Sequence, residues 1–515
     1  MAKHSQVLRR FVLAVAFAAG GISTAAAEVP AAKLQPAAIQ KWADEVFTKI
    51  VAEHRVSGLG ITVIQGDKVL FMKGYGYQDE ATKKPFDPNV TQTRIASTTK
   101  QFIGVAIAQL LERGQIASLN DPVNKYLKRI QLPKNNGEDV LIWDLLTHRG
   151  GFAGNGKNLD FSPETIKQPL SAEILKSGVI PDYARKRDTV SVYCNICSGV
   201  LGFMIEDITG KGLADHLRDN IYKPLGMANT VLAIDDKPSP NMAVQYAYVE
   251  GGVAVPRPYP TLSPHLAAAG SNISTAADMS KWLIANITGA SGSGKALLKD
   301  QKTWDLVHTQ YRQNNPGSSG FGMHFFTYDW NGEHMNEQYG SLQHYSKFYL
   351  FNDSKVGIFV TLAGGGAPNP NMEIPKAGGV KFEGKAFPQM SHSGIRDLVL
   401  SHFLGALPYQ KDAKVNLAPY IGQYGNITRN IGNNPNPTLT EVKDSGDGGL
   451  IIDGRGTYRP SGPHTFTLDK PIELEAGFGQ SNRYVFAVDG SGRATGMFQH
   501  VIAGKLERVD TKSGN

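Results

Sequence analysis

The stretch Ser97-Thr98-Thr99-Lys100 lies at the junction between an extended segment and a helix. Residues 91–96 are β-leaning and non-periodic, whereas residues 101–113 carry apolar side chains at the spacing of an amphipathic helix. Because residues three apart share a helix face, the Lys100 amine can reach the Ser97 hydroxyl. A serine becomes nucleophilic when a base takes its proton, and a lysine is such a base once its pKa is lowered. The stretch therefore predicts a nucleophile, although Ser, Thr and Lys are also ordinary residues at a helix start.

The N-terminal segment 1–27 has the pattern of a secretory signal peptide. Three basic residues precede an apolar run at 11–22, and Ala25-Ala26-Ala27 forms a small-residue cleavage site. The chain has a net charge of +7, and removal of this segment leaves 50 basic against 46 acidic residues. No Lys/Arg run accompanies that small excess, so the sequence predicts no nucleic-acid partner. It also predicts no transmembrane span and a periplasmic or secreted location.

Two cysteines, Cys194 and Cys197, are the only ones in the 515 residues. They predict either small buried residues or a local disulfide in an oxidising compartment. No histidine pair has a zinc-type spacing, so the sequence predicts no metal and no cofactor.

The hydrophobic pattern divides the remaining chain into a large mixed part and a small β part. In chain order the large part predicts a helix at 36–54, a β-hairpin at 58–72, a helix at 101–113, a helical, loop-rich region at 115–260, a helix after 275, two strands at 347–363 and a helix at 395–404. Beyond about residue 408 only short β runs separated by turn residues follow. We therefore predict a segment 1–27, a main domain 28–408 and a C-terminal β-barrel-like domain 409–515.

Four motifs in this order resemble those of the serine β-lactamase and penicillin-binding-protein superfamily, in its class C-like branch of hydrolases and peptidases. They are Ser97-Thr98-Thr99-Lys100 with Gln101-Phe102, the signature 144–151, Tyr193-Cys194-Asn195, and Gly270 with the segment 274–278. The resemblance covers roughly residues 35–405 and implies an α+β fold, in which helices flank an antiparallel sheet beside a helical subdomain. The C-terminal part is then an added all-β barrel or sandwich.

The resemblance also implies roles for individual residues. Ser97 is the expected acylated nucleophile, Lys100 helps to remove its proton, and Tyr193 is a base or proton shuttle whose phenolate an adjacent ammonium would favour. Asn195 is expected to hold Lys100 and a substrate amide. Taken singly, Tyr193 could equally be a core aromatic and Asn195 a helix cap. His148, inside the second motif, is interpreted as a hydrogen-bonded scaffold residue.

The third motif of the family, Lys or His followed by any residue and Gly on a strand beside the nucleophile, is not matched literally before a strand. We place it at His344-Tyr345-Ser346 in preference to His392-Ser393-Gly394, which a helix follows. The oxyanion hole would then use the N–H groups of Ser97 and Lys347. Tyr345 and Ser346 would reshape the pocket that binds a carboxylate in relatives.

These residues together predict a secreted serine hydrolase that cleaves peptide or amide bonds through an acyl-enzyme. Relatives with an added β-domain include D-aminopeptidase-like enzymes, which favours a peptidase by analogy. A carboxylesterase or a β-lactamase is the alternative within the fold, and a catalytically degenerate ligand-binding protein is the alternative from another class. The expected partner is a small peptide, amide or ester, whereas the oligomeric state and the role of the β-domain stay open.

Overall fold

A computed structural model gives the structure of the chain. It describes residues 28–152, 183–233, 239–249, 253–256, 266–342, 344–364, 380–381, 392–426, 439–454, 456–470, 472, 481–499 and 505–509. The predicted signal segment 1–27 lies outside these residues. Within them, no helix combines the length and the apolar character needed to cross a bilayer.

The helices begin at residues suited to helix starts. The first has Pro36 in its first turn, and the seventh follows Thr275, whose side chain accepts the Asp278 N–H at 3.1 Å, as its capping pattern predicts. In chain order the helices are α1 (Pro36–Ala52), α2 (Thr99–Glu112), α3 (Ile142–Leu146), α4 (Asn195–Thr209), α5 (Leu213–Leu217), α6 (Ala267–Gly270), α7 (Ala276–Thr288), α8 (Gln301–His308) and α9 (His392–Leu404).

The strands fall into a main-domain set and a C-terminal set. The main-domain strands are β1 (Gly58–Gln65), β2 (Lys68–Asp79), β3 (Lys84–Pro85), β4 (Thr93–Arg94), β5 (Val231–Leu232), β6 (Tyr246–Val249), β7 (Val253–Pro256), β8 (Asn272–Ser274), β9 (Arg312–Gln313), β10 (Gly320–Phe321), β11 (Phe326–Trp330), β12 (Glu333–Ser341), β13 (Tyr345–Phe351), β14 (Val356–Ala363) and β15 (Val380–Lys381). The C-terminal strands are β16 (Gly422–Asn426), β17 (Leu439–Asp444), β18 (Leu450–Ile452), β19 (Thr457–Gly462), β20 (Thr465–Leu468), β21 (Arg483–Val488), β22 (Ala494–Gln499) and β23 (Lys505–Val509).

An antiparallel sheet of nine strands organises the main domain, in the order β3-β2-β1-β14-β13-β12-β11-β10-β9. The first hairpin lies beside a strand from near the end of the domain: β1 pairs with β14 along its whole length. Helices cover both faces: α1 and α9 pack on one, and α2, α4 and α7 lie in the larger core on the other. This is the α+β architecture that the motifs predicted, and α2 brings its first turn against the sheet.

The C-terminal strands β16–β23 close into a barrel filled by its own side chains, including Tyr424, Phe466 and Phe486. The barrel is fixed to α9 through buried polar contacts. The Asp397 carboxylate accepts the Ile472 N–H at 2.8 Å and a bond from the side-chain amide of Asn482. The predicted all-β C-terminal architecture is therefore confirmed, in its barrel form.

Candidate active site

The nucleophile turn is a single 3₁₀ turn, Ala96–Thr98, that runs directly into α2. Ala96 has φ +46°, in the left-handed region that non-glycine residues rarely adopt. Strained backbone of this kind concentrates at functional sites, where the surrounding structure holds it in place. Ser97 follows immediately and stays partly exposed, whereas its neighbours on both sides are buried.

Lys100 lies one helical turn after Ser97, as the spacing predicts. Its Nζ is 3.1 Å from Oγ of Ser97 and donates to the Ala269 carbonyl of α6 at 2.6 Å. The side chain is completely buried, and this burial holds the Lys100 pKa well below the ordinary lysine value. A lowered pKa favours the uncharged amine, which can accept a proton.

Tyr193 lies over the same amine, with its ring centroid 4.9 Å from Nζ of Lys100. The ring is partly exposed but its hydroxyl oxygen is buried. Burial raises the Tyr193 pKa above the ordinary phenol value, and an interaction with Ser97 opposes this only in part. This direction disfavours the phenolate that the sequence predicted: desolvation and the neighbouring Tyr339 outweigh the interaction with Ser97, so Tyr193 is a neutral phenol here.

Asn195 begins α4, two residues after Tyr193, and is partly exposed. Its predicted contacts with Lys100 and a substrate amide stay predictions. The residue between them, Cys194, caps α4 and forms a disulfide with Cys197. Of the two readings of the cysteine pair, the structure has the local disulfide.

His344 does not have the position of the third motif that we predicted for it. Its Nδ1 accepts the Arg94 N–H at 2.9 Å, and its Nε2 lies 3.0 Å from the Ala243 carbonyl, to which it donates. The ring is completely buried, and that burial lowers the His344 pKa to about 3. Since backbone groups take both ring nitrogens, His344 joins segments of the scaffold.

The neighbours of His344 are buried as well. Tyr345 belongs to the core under α1 and α9, and the Ser346 hydroxyl bonds the Ile95 carbonyl and the Thr98 hydroxyl at 2.7 Å each. Ser346 thus supports the nucleophile turn from below. Lys347 lies on β13, an inner strand paired on both sides, so the sheet uses its N–H. Placing the third motif and the second oxyanion donor here was wrong.

The strand that approaches the nucleophile turn most closely is β12. A Cβ placed on Gly340 would lie 1.9 Å from the Ile95 carbonyl oxygen, so only glycine fits there. The preceding Gln338 is completely buried; its amide donates to the His324 carbonyl at 2.9 Å and accepts the Tyr339 N–H at 3.0 Å. Gln338-Tyr339-Gly340 therefore has the position that the third motif requires.

Sequence reasoning missed these residues because it looked for a basic residue at the first position of the motif. The glycine at the third position, at the end of a strand, was the available signal. Tyr339 adds an aromatic side chain beside the candidate groups: Phe326 stacks on it at 5.6 Å and on Tyr193 at 6.1 Å. The Lys347 amine lies 4.7 Å from the centre of the Tyr339 ring and 3.6 Å from a Glu337 carboxylate oxygen.

Comparison with known proteins agrees with this geometry. The family model described as Beta-lactamase matches residues 43–376. Protein flp of Staphylococcus aureus (strain MW2) is 26% identical over 344 residues, which are 65% of this chain and 64% of that protein. The chain thus matches slightly less than two thirds of that relative's length.

Two solved structures share the fold. The octameric penicillin-binding protein homologue from Pyrococcus abyssi superposes with a TM-score of 0.57 at 20% identity, over 91% of this chain and 99% of that one. The crystal structure of SurE gives a TM-score of 0.60 at 16% identity, over 93% of this chain and all of that one. The family model spans most of the chain and contains the nucleophile turn, Tyr193 and β12, so this chain belongs to the Beta-lactamase family, in the superfamily of serine β-lactamases and penicillin-binding proteins.

Proposed function

We propose that the protein is an exported serine hydrolase that cleaves amide or peptide bonds through an acyl-enzyme on Ser97. The observation that carries this proposal is the 3.1 Å approach of the Lys100 amine to the Ser97 hydroxyl, with the amine completely buried. Burial lowers the pKa of this amine and so favours its uncharged form, whose lone pair can take the serine proton. The family assignment supports the same chemistry.

In the first step the Ser97 oxygen attacks the substrate carbonyl carbon while its proton moves to Nζ of Lys100. The carbonyl oxygen takes up the negative charge, and backbone donors must stabilise it. The N–H of Ser97 is one candidate. The other is the N–H of Ser341, which directly follows Gly340 on β12 and replaces the earlier assignment to Lys347.

The hydrogen-bond alternation of β12 supports this choice. Leu342 donates its N–H to the His344 carbonyl at 3.1 Å, toward β13. Successive residues of an antiparallel strand point their N–H groups to opposite sides, so that of Ser341 points away from β13. On that side the β11 ladder has already ended at the pair Phe326 and Glu337. The Ser341 N–H therefore faces the open edge of β12.

In the second step the carbon–nitrogen bond breaks, and the amine leaving group needs a proton. Tyr193 is suited to donate it because burial keeps its phenol protonated, and Lys100 can return the serine proton to Tyr193. Water then attacks the ester carbonyl and gives up a proton to the same relay, the bond to the Ser97 oxygen breaks, and the relay returns that proton to Ser97 as the acid is released. Since an ester needs less help for its leaving group, the protonated Tyr193 favours an amidase over an esterase.

An altered oxyanion strand around Ser346 would favour the catalytically degenerate, ligand-binding alternative. The strand in close contact with Ile95 is instead β12 at Gly340, so the sequence around Ser346 does not favour that alternative. Export is supported by the signal-like segment 1–27 and by the Cys194–Cys197 disulfide, since disulfides persist in oxidising compartments.

Intact mass spectrometry of the mature protein tests the proposal. A fluorophosphonate and, separately, a penicillin are offered to the wild type, to Ser97→Ala and to the matched control Ser491→Ala in a barrel turn. We expect one adduct per chain from the fluorophosphonate, absent only in Ser97→Ala. A nitroanilide and a nitrophenyl ester of the same acylated amino acid then separate amidase from esterase turnover. A folded wild type that forms no adduct and cleaves neither compound contradicts the proposed function.

A further inference from the structure

His148, which follows α3, forms hydrogen bonds with the backbone on both sides of the candidate tyrosine, Tyr193. Its carbonyl accepts the Val192 N–H at 2.8 Å, and its Nδ1 accepts the Cys194 N–H at 3.1 Å. These two donors stand immediately before and after Tyr193. The imidazole also packs against the phenol, with ring centroids 4.8 Å apart. One residue, through its carbonyl and its ring, thus holds both the backbone around Tyr193 and the Tyr193 ring.

The backbone of His148, like that of Ala96 in the nucleophile turn, is in the left-handed region. Its φ is +57°, and the residue is 1% exposed. A non-glycine residue adopts this conformation when its surroundings require it. Here the left-handed turn lets the carbonyl and the ring of one residue both meet the strand-like segment that carries Tyr193.

The Cys194 bond requires an uncharged imidazole. A backbone N–H can only donate, so Nδ1 of His148 must be unprotonated and the ring proton lies on Nε2. Burial, with the nearby His324 and Lys100, lowers the His148 pKa well below its ordinary value. This direction favours the uncharged imidazole that can accept the Cys194 N–H.

A second, covalent restraint acts on the same residue. Cys194 is bonded to Cys197 across the first turn of α4, and the Cys197 N–H donates to the Cys194 sulfur at 3.0 Å. Tyr193 and Asn195 flank this fixed point on either side. Cys194, between the two candidate site residues, is thus held by His148 from outside α4 and by the disulfide within α4.

We propose that His148 is a positioning residue for Tyr193, which it holds together with the Cys194–Cys197 disulfide. This inference rests on the proposed function, since it assigns His148 to the placement of the proton donor in that reaction. His148 takes no proton in the reaction and does not contact the substrate. Its loss therefore slows the chemical step and leaves substrate affinity nearly unchanged.

The test compares turnover of the nitroanilide by His148→Leu and His148→Asn. Leucine removes the acceptor, and we expect kcat to fall about 10- to 100-fold, the range for a misplaced catalytic group, with little change in KM. The side-chain oxygen of asparagine can accept the Cys194 N–H, so His148→Asn should recover most of that loss. Asn135→Ala is the matched control, because it removes side-chain bonds to the Gly150 and Arg185 carbonyls beside the same loop but none to the Tyr193 segment.

A second variant keeps the test decisive if His148→Leu fails to fold. Replacing both Cys194 and Cys197 by alanine removes the covalent restraint, and kcat should fall with KM again nearly constant. Equal turnover by wild type and both kinds of variant overturns the positioning role, as does an equal loss in His148→Leu and His148→Asn. If the wild type reacts with the fluorophosphonate and cleaves the nitroanilide, and the variants do so at the same rates, only this inference is refuted. A wild type that does neither refutes the proposed function itself.

Discussion

Replacement of Gly340 by alanine is the sharpest test of the corrected site. The added Cβ would lie 1.9 Å from the Ile95 carbonyl oxygen, whereas real Cβ contacts stay above 3.0 Å. Strand β12 and the nucleophile turn must therefore separate by about 1.1 Å or more. Ile95 lies two residues before Ser97, so the shift moves the nucleophile relative to the Ser341 N–H.

A displacement of about 1 Å at a reacting group costs on the order of 100-fold in rate. That corresponds to about 2.7 kcal/mol of transition-state stabilisation. Overpacking also destabilises the fold by about 1–3 kcal/mol. We expect Gly340→Ala to stay folded with a lowered melting temperature and to react with the fluorophosphonate about 100-fold more slowly than the wild type.

Gly74→Ala is the matched control, because its Cβ would also lie 1.9 Å from a backbone oxygen, that of Phe86. Gly74 is on β2, four strands from β12 in the sheet, or about 19 Å at the usual strand spacing. This variant should lose similar thermal stability and keep the labelling rate of the wild type. Wild-type labelling of Gly340→Ala, or equal slowing in both variants, would refute the placement of β12 beside the nucleophile.

Three further outcomes follow from the burial of the site and of the barrel contact. The fluorophosphonate reaction of Ser97 should fall as pH drops through the lowered pKa of Lys100, because the ammonium cannot accept a proton; a rate that titrates at the ordinary lysine value of 10.5 would contradict this. Tyr193→Phe should lower amide turnover by about 10²- to 10⁴-fold and affect the matching ester less, as steady-state kinetics on both would reveal. Asn482→Ala leaves the buried Asp397 carboxylate short of a donor and should destabilise the chain by about 1–3 kcal/mol in thermal unfolding, whereas an unchanged melting curve would show that the barrel contact contributes nothing.

The local features of the site could be predicted from the sequence. Three-residue spacing on a helix fixes the meeting of Ser97 and Lys100, whatever the remaining chain does. Tyr193 and Asn195 are likewise two residues apart at one helix start, so their proximity needs no long-range information. Alternating and helical hydrophobic patterns similarly predicted the first hairpin, the helices and the β-rich C-terminal part.

The pairing of distant strands could not be predicted in the same way. His344 and Gly340 are four residues apart, His344 just before β13 and Gly340 near the end of β12. Only the register of β12 with β13 and the contact of β12 with Ile95 show which of them faces the nucleophile. His344 was preferred because the third motif begins with a basic residue in relatives. In the structure both ring nitrogens of this histidine instead bind backbone groups.

The sequence alone thus predicted the meeting of Ser97 and Lys100 and the order of helices and strands, because these depend on spacing along the chain, and the resemblance of its motifs implied the fold class. Tertiary structure decided which strand completes the site and which proton each group carries. The packed chain excludes water from both groups, which lowers the pKa of Lys100 and raises that of Tyr193. Desolvation of this kind comes from segments far apart in the sequence, and no local pattern records it.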